Sequence, residues 1–434
     1  MTHFEMNATM PRGTFRAGRT LVLAVGLTAL VGCGDLFDVE NPGSLVDTDL
    51  ETPFLESTLS TTAEGELVGP FSSALVNGEM LGDHVWHPSV QDFALLVDAG
   101  YRDRDISTAE SLYNGLMSSI WVSDNMVDRL QVMVAAPDAH LGIATSHFMG
   151  ALGRITAAAY YEAVVYDGRP PITPAQAIAD ARDRFLSAAS VAGGAGDDNL
   201  RAAALGGAAR AFRSLYYEAE IVSGSGDAAD MADAEDYARQ ALAVDDDYLV
   251  NLRYGQPGTT NGHYNGLTIG PYHRMHESYA FRLDPVTGDV DPRIVFNPEP
   301  ETPGPRGETR YRQMKYPGLT SPLPASRAAE AELIIAEARL IADDLPEAVN
   351  YINLVRARSG LDAFASSDAN EIWDQLLYER DTELWLEGRR WEDHRYYDII
   401  PLAWIQRNID LGTEDRWPIS VQERFNNPNI AGGG

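Results

Sequence analysis

Between Leu323 and Arg395 apolar residues return every three or four positions in three successive runs, and a chain with that spacing must bury helix against helix. In the first run Leu333, Ala336, Leu340 and Ile341 share one face. Pro346 suits the first turn of a second helix whose Ala348, Ile352 and Val355 fall on one side, and Gly360 supplies the left-handed stop after it. The third run opens at Asp368 and Glu371, which have capping-box spacing, and carries Trp373, Leu377, Leu384 and Trp391 as one helical stripe.

The small residues Ala336, Ala348 and Val355 have the spacing of a tetratricopeptide repeat, where two close-packed helices leave no room for larger side chains. Beside the third stripe runs a line of charge. Glu379, Glu383 and Glu387 are four residues apart and in register with Ile372 and Leu376, so their carboxylates approach the packed side. Like charges at that spacing repel by about 0.2–0.5 kcal/mol per pair, and cations must therefore lie near. Arg380, Arg389 and Arg390 are available on the same run, with Arg327, Arg356 and Arg358 on the helices before it. The expectation is a structural ion-pair network of Arg327, Arg356, Glu379, Glu383, Glu387 and Arg390; the competing reading is a carboxylate pair for acid–base chemistry.

Lys315-Tyr316, Arg327 with AEAELIIAEARL, NLVRARSGL, and then ER, EL, EGRRWED and Arg395 together resemble the C-terminal signature of SusD/RagB-type nutrient-uptake lipoproteins of the bacterial outer membrane. The last residues, WPISVQERFNNPNI, resemble that family's terminal pattern, with Ser420 where a second proline is usual. The resemblance implies a predominantly α fold: a SusD-like helical scaffold of tetratricopeptide-like helix pairs with long, irregular, aromatic-rich loops. It also implies a surface lipoprotein that performs no covalent chemistry and needs no cofactor. Such a protein would bind a nutrient, most often an oligosaccharide, and deliver it to a SusC-like TonB-dependent β-barrel transporter.

The start of the chain agrees with this. Arg12, Arg16 and Arg19 precede an apolar stretch from Leu21 to Val31, too short to span a bilayer and of the length of a signal-peptide core. Leu30-Val31-Gly32-Cys33 reads as a lipobox, so residues 1–32 are expected to be cleaved and Cys33, the only cysteine in the sequence, to be acylated. Met10 is an alternative start to Met1, and 33–50 reads as a tether. Loss of Glu5 and three arginines with the signal takes the formal charge from −31 to −33. A surface that acidic repels nucleic acid and anionic lipid, and the membrane is expected to be met through the lipid alone.

Residues 51–434 are read as one SusD-like domain, with helical scaffold over about 51–250 and 323–400 and a ligand-side loop region over about 251–322. Helical period runs through most of Leu50–Leu205, including HFMGALGRITAAAYYEAVVY, and an alanine-rich pair follows, with Ala234 and Ala241 seven apart. Two stretches break the rhythm, Gly82–Thr108 and Asn251–Tyr316. Loops of that length in a compact domain are functional or disordered, and the tyrosines of the second argue against disorder.

Tyr and Trp offer a flat apolar face to a sugar ring, while Asp, Asn and His bond its hydroxyls. Trp86, His87 and Tyr101 in the first stretch and Tyr264, Tyr272 and His273 in the second have this character, with Asp83 and Asn265 as polar partners. These eight are the candidate ligand-binding residues. His84 with His87, His273 with His276, and the group Asp284, Asp289 and Asp291 each fall short of a recognised metal set, so no metal is expected. Two other readings stay open. An all-helical glycoside hydrolase would use a facing pair among Asp83, Asp98, Asp103 and Glu277. A repeat scaffold that binds only proteins would show a bare apolar groove.

Overall fold

The computed structural model describes residues 50, 52–86, 97–98, 107–255, 259–266, 274–299, 309–400 and 416–430. The signal peptide, Cys33 and nearly all of the tether lie outside them. Among the described residues no helix is long and apolar enough to cross a membrane.

Six long helices come first: α1 Glu56–Leu81, α2 Ser107–Met133, α3 Leu141–Tyr160, α4 Pro174–Ala195, α5 Asp198–Ser223 and α6 Ala228–Val244, each packed against the next. Their limits follow from capping chemistry. Thr173 and Gln176 exchange side-chain and backbone hydrogen bonds in a capping box ahead of Pro174, Asp197 and Asp227 cap α5 and α6, and Gly196 and Gly224 take left-handed conformations at the C-termini. Ala177, Ala181, Ala188 and Ala192 of α4 are fully buried, as are Ala234, Ala238 and Ala241 of α6. Methyl groups at these positions let neighbouring helix axes approach closely, which is the packing expected of repeat-type hairpins. The helical run expected through Tyr166 stops at Tyr160, because Tyr161 is extended and pairs with Trp417.

Among the described residues six short strands mark the helical breaks: β1 Val85–Trp86, β2 Leu249–Leu252, β3 Arg274–Met275, β4 Phe296–Glu299, β5 Arg310–Gln313 and β6 Leu323–Arg327. They pair antiparallel as β1–β3, β2–β6 and β4–β5. Among the described residues the remaining helices of six or more residues are α7 Ala328–Ile341, α8 Leu345–Arg358, α9 Ala369–Glu383, α10 Arg390–Tyr396 and α11 Val421–Asn426. The β2–β6 ladder sets Leu249 opposite Arg327, so α6 and α7, which it joins, pack together in space although 83 residues separate them in sequence. Residues 253–322 are thus an insertion into one continuous stack of helices, closed at its neck by a two-stranded ladder. The predominantly α fold agrees with the sequence reading, although 323–327 is a strand where helical scaffold was expected.

The third apolar run is two helices, a correction to the sequence reading. Ile372 and Leu376 of α9 join Leu333, Ala336, Leu340, Ala348, Ile352 and Val355 in one core, whereas Trp391 on α10 belongs to the larger core around α1 and α3. Between them the backbone reverses hand at Leu386 (φ 59°) and Gly388 (φ 76°). The peptide groups freed by the turn are taken up from afar: Lys315 Nζ donates to the Trp385 carbonyl at 2.5 Å, and Gly388 N–H donates to Glu79 of α1. A Cβ at position 388 would run into Leu75, so Gly388→Ala combines left-handed strain with a core clash. Urea titration should show that variant about 2 kcal/mol less stable than the wild type.

Candidate ligand-binding face

The inserted segment is held to the scaffold by buried charge. Arg356 of α8 has no exposed surface; it donates to Glu379 at 2.7 Å and to Asp284 of the insertion at 2.9 Å. Arg293, also of the insertion, reaches Asp291 at 2.7 Å, Glu379 at 2.5 Å and Glu383 at 3.3 Å. Arg327 bonds Glu383 and Glu387 at 2.7 and 2.8 Å, and Lys315 reaches Glu387 at 2.7 Å. Burial alone would raise the Glu387 carboxyl, but Arg327 and Lys315 outweigh it and hold the group below the usual carboxylate range. Asp284 and Asp291, two of the acids weighed above as a metal set, are likewise lowered against burial by Arg356 and Arg293. Arg390 does not join the glutamate line; it lies 3.2 Å from Asp381.

Asp381 is a second anchor. Besides Arg390 it receives Tyr279 Oη and His84 Nε2, each at 2.8 Å, and Arg282 at 2.6 Å. His84 is buried between Asp381 and Glu79. Desolvation works against its charge, but the two carboxylates prevail and raise its pKa above the ordinary histidine value. Both irregular stretches of the sequence therefore end on one carboxylate of α9.

From that anchor the two stretches run side by side. In the β1–β3 ladder Val85 faces Met275 and Trp86 faces Arg274, and His276 N–H donates to the His84 carbonyl at 2.9 Å. Trp86 is half-buried on this ladder. Asp83, just before it, is buried in a left-handed conformation with φ 65°. Tyr264 is half-buried and Asn265 exposed, on a single helical turn whose Gly262 N–H donates to Ser72 of α1 at 2.6 Å. His87, Tyr101, Tyr272 and His273 lie outside the described residues. Two aromatics that the sequence reading passed over are part of this region: Phe281, 56% exposed, meets Phe296 edge-on at 4.9 Å and Tyr311 at 6.2 Å. No group of three or more His, Cys, Asp or Glu placed to hold a metal occurs among the described residues.

A stack of alanine-lined helix pairs, with an inserted loop face bolted on by buried ion pairs, is a fold that other solved proteins share. A SusD superfamily protein from Bacteroides vulgatus ATCC 8482 is similar with TM-score 0.66 at 16% identity, covering 87% of this chain and 99% of that one. One from Bacteroides fragilis NCTC 9343 gives 0.65 at 14% identity, covering 87% and 98%. A B. vulgatus protein described as a SusD-like carbohydrate-binding protein gives 0.60 at 14%, covering 80% and 83%. Residues 310–429 match the model of the SusD family, and no curated protein matches the chain. Over most of its length the chain thus shares the fold of these SusD-superfamily structures, and its C-terminal part matches the family's sequence model.

Proposed function

We propose that this protein is a lipid-anchored surface protein, acylated at Cys33, that binds an oligosaccharide and delivers it to a SusC-like TonB-dependent barrel in the outer membrane. The observation that carries the reading is the β1–β3 ladder, which brings together two irregular stretches 190 residues apart and fixes both to Asp381. A half-buried Trp86 on a surface anchored in this way has the rigidity that stacking on a sugar ring demands. Similar proteins described as carbohydrate-binding support the same class of ligand.

The hydrolase reading requires two carboxyl groups about 5–5.5 or 6.5–9.5 Å apart across an open cleft. Of the acids named for that reading, Asp83 and Asp98 are buried, Glu277 is exposed and Asp103 lies outside the described residues, while the carboxylates gathered on Arg293 are buried and paired with arginines, an arrangement suited to holding segments together. The protein-only reading requires an apolar groove, whereas a cleft of about 600 Å³ between the scaffold helices is lined mainly by charged side chains.

Affinity electrophoresis through gels cast with soluble polysaccharides tests the proposal. The wild type should be retarded by at least one of them, and Trp86→Ala, with an unchanged circular dichroism spectrum, should lose about tenfold to a hundredfold in affinity. Equal retardation of both proteins would remove Trp86 from the site. A SusC-like barrel co-expressed with this protein should co-elute with it in detergent.

A further inference from the structure

Away from the loop face, α2, α3 and α4 enclose a cleft of about 600 Å³, within the range of small-molecule sites. Each helix turns one face into it at helical spacing: Trp121, Asp124, Asn125 and Asp128 from α2, His147 and Arg154 from α3, and Asp180, Asp183, Arg184 and Ser187 from α4. We infer that this cleft is a second binding site, separate from the loop face, for a neutral oligosaccharide.

Three observations carry the inference. Trp121 is 50% exposed beside the cleft, so the indole offers a flat apolar surface on which a ring can stack. The polar lining is prearranged. Asp124 is gripped by Arg154 at 2.5 Å and Arg184 at 2.9 Å, Arg154 is buried with its guanidinium 4.8 Å from the Tyr166 ring centroid, and its Nε has no hydrogen-bond partner among the described residues. Arg184 Nη1 lies 3.2 Å from His147 Nδ1, so that nitrogen accepts and Nε2 carries the ring proton. Burial first, and Arg184 second, push His147 down to about 4, so at neutral pH the ring offers one donor and no charge.

The charge pattern selects the ligand. Asp124, Asp128, Asp167, Asp180 and Asp183 would repel an anion; Arg154, Arg169 and Arg184 would repel a cation. Carboxylates as acceptors, guanidinium and imidazole groups as donors, and one exposed indole are what a polyhydroxylated ring with no net charge can use in full.

The test labels the indole nitrogens with 15N and assigns the Trp121 signal by its loss in Trp121→Phe. Maltohexaose, mannohexaose and xylohexaose are then titrated to 10-millimolar order, with trilysine as a cationic control. At least one of the sugars should move the Trp121 signal saturably, equally in the wild type and in Trp86→Ala, while trilysine leaves it in place. A signal that none of the sugars moves, that only trilysine moves, or whose response disappears in Trp86→Ala would overturn the assignment. Trp86→Ala also separates the two sites, because failure at Trp86 leaves the Trp121 response intact.

Discussion

Replacing Arg356 with alanine should lower the free energy of unfolding by about 3–5 kcal/mol, one of the largest losses a single surface-preserving substitution can cause here. The side chain is wholly buried and contacts Glu379, Asp284 and the Asp362 carbonyl, the last at 2.6 Å from its Nε. Truncation would strip buried Asp284 of its arginine and leave Glu379 with Arg293 as its remaining cation, in a site closed to water, and the penalty is mainly theirs. Asp284 belongs to the inserted segment, so the same variant should expose that segment to limited proteolysis earlier than the scaffold. Arg358 on the same helix provides the contrast. Its partners are Asp247, 89% exposed, and Glu332, 6% exposed, but its own side chain is partly in water that can take its place, so Arg358→Ala should cost less, about 1–2 kcal/mol. Urea titration of the two variants checks the difference.

Acidification should destabilise the protein well before its carboxylates titrate. His263 is fully buried, stacked 5.4 Å from Tyr316, with no hydrogen-bond partner on either ring nitrogen among the described residues. Burial, aided by Lys315, pushes it down to about 4, as burial and Arg184 do for His147. The unfolded chain takes up these protons below pH 6.5, while the folded one refuses them until about pH 4. Their contribution is therefore complete above 6.5 and is lost as pH falls toward 4, with a combined slope of up to about 2.7 kcal/mol per pH unit. Glu330, held down to about 2 against burial by Arg389 and Arg210, extends the loss from its ordinary value of 4.5 toward 2. His84 acts in the opposite sense: its folded pKa is raised, so its contribution is full below 6.5 and disappears as pH rises through the folded value. Denaturant titrations from pH 4.5 to 7.5 should show the acid slope, and His263→Phe should reduce it by up to one proton.

The helices were legible because their determinants are local. The three- and four-residue period, Pro346, Gly360 and the small residues at 336, 348 and 355 act within one hairpin. The break after Glu383 was not legible, because what supports it comes from Glu79, Leu75 and Lys315, far away in sequence. The glutamate line announced a need for cations, and Arg327 and Arg356 lie on it, but Arg293 and Lys315 sit in a segment without periodicity and gave no signal of their direction. Arg390 followed Asp381 instead, since the turn at Gly388 removes it from the face of α9. The polar faces at Trp121 and Asp180 were visible at helical spacing, yet a reading tuned to apolar stripes takes such faces for solvated surface.

The central claim is capture without chemistry, and calorimetry on the lipid-free chain from Gly34 onward, titrated with neutral oligosaccharides and followed by chromatography of the recovered sugar, tests it most directly. The account predicts saturable binding of at least one oligosaccharide and its recovery at full length. Absence of binding across the series, or recovery of shortened products at a catalytic rate, would contradict it.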